Sequence, residues 1–219
     1  MELEKVYHFL TEVEKNNNRD WFAENKGMYE EAQSVFEDFV QLVINRIAIF
    51  DPAVMVVEPK DCTFRIYRDI RFSPNKLPYK THMGAYINVK GRKSDYCGYY
   101  VHLQPGKSFL GGGSIGLPTK RLTRIREQIM ERIDEYIDIV EDPKFKKYFP
   151  IIGMDFLKTA PKGFSKDYKY IDYLRCKEYI CSYDVTDDFF LNPSCLDEIG
   201  EVFQQNKRFA DFINSALGY

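Results

Sequence analysis

The sequence predicts an α+β fold, in which an antiparallel sheet from the middle of the chain packs with N-terminal, central and C-terminal helices. Three observations carry this expectation. Apolar residues recur three and four apart through the first 50 residues. The spacing then changes to two between about 54 and 113, and returns to three and four in two later stretches. No internal repeat and no linker rich in Gly, Ser or Pro divides the 219 residues, so one domain over 1–219 is expected.

The helical part covers 4–50. Val6, Phe9, Leu10 and Val13 share a helix face up to the polar run Asn16, Asn17, Asn18. Asn18 can cap a short helix bearing Trp21 and Phe22, both assigned to the core, because its side-chain oxygen can accept an orphan backbone N–H. Tyr29, Ala32, Phe36, Phe39, Val40, Val43 and Ile47 form the stripe of a long helix that ends before Asp51-Pro52. In the strand-rich part, 54–113, strands are expected at 63–67, 84–89, 99–104 and 108–110, with Gly111, Gly112 and Gly113 leading out of the last. A central helix over 119–140 has Thr119 as its cap and Leu122, Ile125, Ile129, Ile133 and Ile137 as its stripe. Residues 142–195 are mixed, and a C-terminal helix over 196–216 turns Ile199, Val202, Phe203, Phe209, Phe212 and Ile213 inward.

No apolar run approaches the roughly 20 residues that span a bilayer. The acidic, amphipathic start lacks the cationic and apolar parts of a signal peptide. Five cysteines with no C-x-x-C spacing read as reduced thiols of a cytoplasmic protein. Three scattered histidines argue against a preformed zinc cluster, so no metal is expected.

The net charge of −2 conceals an asymmetry. Residues 1–50 carry five Lys or Arg against ten acidic residues, whereas 58–93 carry nine against three. The densest cationic stretch contains Arg65, Arg68, Arg71, Lys76 and Lys80, interleaved with Tyr67, Phe72 and Tyr79. Guanidinium groups match phosphate or carboxylate, and aromatic neighbours can hold their planes. If Phe64 and Ile66 face the core, Arg65 and Tyr67 face away, together with Tyr86, Asn88, Tyr100, His102 and Gln104 of the other strands. An anion-binding floor of Arg65, Tyr67, Arg68, Arg71, Lys76, Tyr79, Lys80, Tyr100 and His102 follows. The alternative is that these arginines only cover apolar surface with their stems. Lys90, Arg92 and Lys93 read as a solvated turn. The cations opening the central helix read first as an exposed basic face, the lesser alternative being an anionic ligand that offsets them there.

The segments NNNRDWF (16–22), RIYRDIRFSPNKLPYKTHMGA (65–85), YYVHLQPGKSFLGGG (99–113) and PKGF (161–164) occur in this order. Together they resemble the bacterial and fungal family DUF2461, over about residues 5–215. The resemblance implies no particular activity, cofactor or catalytic residue. One departure is Asn75, where the family more often has Asp before Lys76.

For catalysis, His102 and Asp69 are the residues to consider: His102 because its side chain titrates near neutrality, Asp69 as a base or metal ligand. The competing readings are a structural hydrogen bond for His102 and pairing with a neighbouring arginine for Asp69. No nucleophile motif, P-loop or dinucleotide fingerprint is present. The expectation is therefore a site for a small phosphorylated or carboxylated molecule, with catalysis left open and no cofactor specified. The alternative is a non-catalytic module for nucleic acid or an acidic protein surface.

Overall fold

A computed structural model describes residues 2–218. Its helices are α1 (Leu3–Lys15), α2 (Arg19–Glu24), α3 (Lys26–Ile47), α4 (Pro59–Cys62), α5 (Thr119–Glu131), α6 (Ile133–Val140), α7 (Pro143–Tyr148), α8 (Ile171–Leu174), α9 (Asp187–Leu191) and α10 (Cys195–Leu217). Four strands, β1 (Met83–Ile87), β2 (Gly98–Leu103), β3 (Phe109–Ser114) and β4 (Tyr179–Asp184), form one antiparallel sheet in sequential order. The class is α+β, with the sheet from the middle of the chain packed against helices. In space the chain divides into two compact units. Among the described residues the first comprises 2–92, 100–110 and 184–201; the second comprises 93–99, 111–183 and 202–218.

In the first unit, α1 buries Leu3, Val6, Phe9, Leu10 and Val13, and α3 buries the predicted stripe from Ala32 to Ile47. Each such side chain removed from water contributes roughly 1.5–3 kcal/mol before chain entropy is set against it. The three asparagines have separate tasks. Asn18 caps α2 as predicted, its Oδ1 accepting from the Trp21 N–H at 2.9 Å. Asn17 pairs with both backbone groups of Tyr79, accepting its N–H and donating to its carbonyl, each at 3.1 Å. That side chain thereby substitutes for a strand neighbour. Phe22 is buried and stacks on Tyr79 with centroids 4.0 Å apart, whereas Trp21, expected in the core, is half-exposed.

The expected strand over 63–67 is instead an irregular edge. It touches 79–85 through two isolated bridges, Thr63 with Ala85 and Tyr67 with Tyr79. The Phe64 and Arg68 N–H groups donate to Gly84 and Pro78, while the Lys80 N–H donates to Ile66. The alternation breaks here as well. Ile66 is buried, but Phe64, expected inward, is 39% exposed and lies against Tyr100 and Lys80.

In the second unit the glycine run, expected to leave the sheet, lies inside β3. Gly112 belongs there because the buried Asn206 amide of α10 occupies the space a Cβ would need. Asn214 of α10 repeats the Asn17 device, accepting from the Cys97 N–H at 2.7 Å and donating to its carbonyl at 3.1 Å. The central helix breaks at Arg132, whose backbone leaves the helical region, into α5 and α6. The break shifts the phase of the stripe: Ile125 and Ile129 are buried, but α6 buries Tyr136, Ile139 and Val140 instead of Ile133 and Ile137. Pro118, not Thr119, occupies the cap position. The predicted inward residues of the C-terminal helix are all buried. All five cysteines are buried and free.

Candidate functional site

The nine residues expected to share one anion floor fall into three groups. The first is the loop 68–77, whose cations hold the loop itself. Arg68 donates through Nη1 to the Leu77 carbonyl at 2.9 Å and through Nη2 to Ser73 at 3.3 Å. Lys76 Nζ donates to the Ile70 carbonyl at 3.0 Å. Arg71 binds Asp69 through two nitrogens, at 3.0 and 2.7 Å, and this pairing lowers the Asp69 pKa. Tyr79 and Tyr67 belong to an aromatic cluster with Phe22. Phe72 at the loop tip is 92% exposed, with the Arg71 guanidinium 5.8 Å from its ring centre.

The second group lies on the face of β1 and β2 that carries Gly84, Tyr100 and His102. The Tyr100 hydroxyl and His102 Nδ1 are 2.9 Å apart, and His102 Nε2 lies 3.1 Å from Gln104 Oε1. The Gln104 amide donates onward to Thr81 Oγ1 at 3.3 Å. Since an amide oxygen only accepts, His102 carries its proton on Nε2, and Nδ1 accepts from Tyr100. Both nitrogens are thus engaged. His102 also stacks on Phe109 at 4.5 Å and on His82 at 4.4 Å. Burial, then His102 and Lys80, push the His82 pKa down to about 4. Burial lowers His102 too, while burial raises the Tyr100 hydroxyl to about 12. A side chain at Gly84 would collide with that hydroxyl. This face therefore disfavours a proton on either imidazole, with Lys80, itself lowered by burial and then by Arg65, set over the Phe64 ring.

The third group is a cavity of about 220 Å³ in the first unit. Of the nine predicted residues it takes only Arg65. One wall is α3, supplying Tyr29, Gln33, Phe36 and Glu37. The remainder comes from Lys60, Thr63, Phe64, Ile66, Met83 and Arg92. Three cations and one carboxylate line it. Arg65 is exposed and takes part in no hydrogen bond or ion pair among the described residues. Arg92, assigned to a solvated turn from the sequence, instead donates through Nη1 to the Lys60 and Asp61 carbonyls at 3.1 and 3.2 Å. Those carbonyls close the last turn of α4, where a cation is favoured. Lys60 is paired with Glu58 at 2.6 Å. The one sequence signal for the α3 wall is the row Tyr29, Gln33 and Glu37, each four residues apart beside the apolar stripe. Nothing local joins that row to Lys60 or Arg92.

Other cations find partners inside the protein. Arg121 at the start of α5 meets Asp95 at 3.1 Å and Tyr96 at 5.6 Å, so a protein carboxylate supplies a counter-charge there. Arg126 is buried and donates to the Leu174 and Cys176 carbonyls, both at 2.8 Å. Among the described residues no helix is long and apolar enough to cross a membrane, and no group of three His, Cys, Asp or Glu could hold a metal ion.

No curated protein and no solved structure matches the chain. The family described as "Conserved hypothetical protein (DUF2461)" matches residues 5–212, nearly the whole length, and the chain belongs to that family.

Proposed function

We propose that this protein binds a small anionic molecule, a phosphate or a carboxylate, in the cavity beside α3. The observation that carries the reading is Arg65, a guanidinium with no protein partner among the described residues, at the rim of a cavity that also presents Lys60 and Arg92. An unpaired fork next to an aromatic wall is suited to bidentate capture of an oxyanion. The five unpaired cysteines support a reducing, cytoplasmic setting. Calorimetric titration with inorganic phosphate and with propionate tests the proposal. Saturable binding of either should weaken about tenfold or more in Arg65→Ala. Absence of saturable heat from both and from their amine-bearing counterparts, or equal affinity in the variant, refutes it.

A second reading, a single-stranded nucleic acid on the loop 68–77, is favoured by Phe72. Its exposed ring beside Arg71 is what base stacking requires. Oligonucleotide binding that falls steeply with salt and is lost in Phe72→Ala would support it. Binding that survives Phe72→Ala would exclude it.

A further inference from the structure

The cavity is not uniformly cationic, and the exception specifies more about its occupant. Glu37 stands on the α3 wall, half-buried, with one carboxylate oxygen accepting from the Gln33 amide at 2.9 Å. It takes part in no ion pair among the described residues, although it shares the cavity with three cations. Lys60 is turned to Glu58, and Arg92 to the carbonyls that end α4. A carboxylate held by a neighbouring amide, with an acceptor oxygen to spare, is suited to a donor carried by the ligand. Arg65 supplies the complementary charge in the same space, and the rings of Tyr29, Phe36 and Phe64 provide apolar wall.

We infer that the occupant is an amino-bearing anion, its oxyanion held by Arg65 and its ammonium by Glu37. This rests on the small-anion reading above and adds the second charge to it. A purely anionic molecule of the same size would leave Glu37 facing it, and like charges in a partly desolvated site repel. An ammonium with no oxyanion would leave Arg65 unmet. Both polar ends are needed for the site to be satisfied, and this gives a discrimination that Arg65 alone cannot produce.

Matched probes test the inference. Phosphoethanolamine is compared with ethyl phosphate, and β-alanine with propionate, by calorimetric titration of wild type, Arg65→Ala, Glu37→Gln and Glu37→Asp. Within at least one pair the amine-bearing member should bind wild type about tenfold more tightly. Glu37→Gln, nearly isosteric, should bring the two members within about twofold, and Glu37→Asp should retain part of the preference. Urea midpoints show whether each variant is folded, and the Asp variant carries the test if the Gln variant is not. Equal binding of both members by wild type, or a preference unchanged in the Glu37 variants, overturns the amine assignment and leaves the anion site standing. Failure of all four probes to bind removes the anion site and this inference with it.

Discussion

Replacing His82 with Gln should flatten the acid side of the stability curve, and the structure supplies the size of the effect. The His82 ring lies 4.4 Å from the His102 ring, and Lys80 is a cation that acts on it. A proton on His82 therefore arrives in a half-buried place beside a cation, with no carboxylate paired to it among the described residues. Burial and these neighbours bring its pKa from the ordinary 6.5 down to about 4. The folded protein thus favours the neutral ring. The resulting stability is complete above the unfolded value of 6.5 and is lost as pH falls from there toward about 4. Between about pH 7 and about pH 4.5 the full shift would remove about 2 kcal/mol, and solvent screening of a half-buried ring reduces this to about 1 kcal/mol. Carboxylates titrate in the same range, so the quantity to measure is a double difference. Urea midpoints of wild type and His82→Gln, each at both pH values, provide it. Wild type should lose about 1 kcal/mol more than the variant on acidification. Parallel losses would show that His82 titrates normally and that the stacked pair carries no penalty.

Asn17→Ala strips the Tyr79 backbone of both partners and should cost about 1–3 kcal/mol in urea unfolding; a cost below about 0.5 kcal/mol would show that water replaces the amide. Gly112→Ala forces a methyl into the Asn206 amide and should lower stability by about 1–3 kcal/mol, much of it recovered in Gly112→Ala with Asn206→Ala; additive losses would refute that contact as the cause. Arg68→Ala releases the Leu77 carbonyl and Ser73, so limited proteolysis should cleave within 68–77 faster, whereas Arg71→Ala, which breaks an exposed pair, should change the rate less. Equal rates in the two variants would place the brace elsewhere.

The long amphipathic helices were legible because their determinants lie within a few turns. The stripes of α1, α3 and α10 and the Asn18 cap depend on residues three or four apart, and so does the arrest of α3 before Asp51-Pro52. The single break at Arg132 was not legible. The apolar spacing of 119–140 suits one continuous helix, and the phase shift emerges only when Tyr136, Ile139 and Val140 pack. The strand-rich middle was visible from its period, but β4 was not, since 179–184 lies in a stretch with no sustained alternation.

The candidate site divides in the same way. Sequence alone located a cationic, aromatic segment between 58 and 93 and the family to which the chain belongs. It could not say which cations were already engaged, because a guanidinium reads the same whether it meets a ligand or a backbone carbonyl. Arg68, Arg71 and Lys76 spend their donors on their own loop. Arg65 does not, and Arg92 and Lys60 reach the same cavity from other parts of the chain. Composition and local spacing decided that positive charge gathers in this part of the protein. Only tertiary contact decided which of those charges is left facing open space, because hydrogen-bond saturation depends on neighbours far apart in the chain.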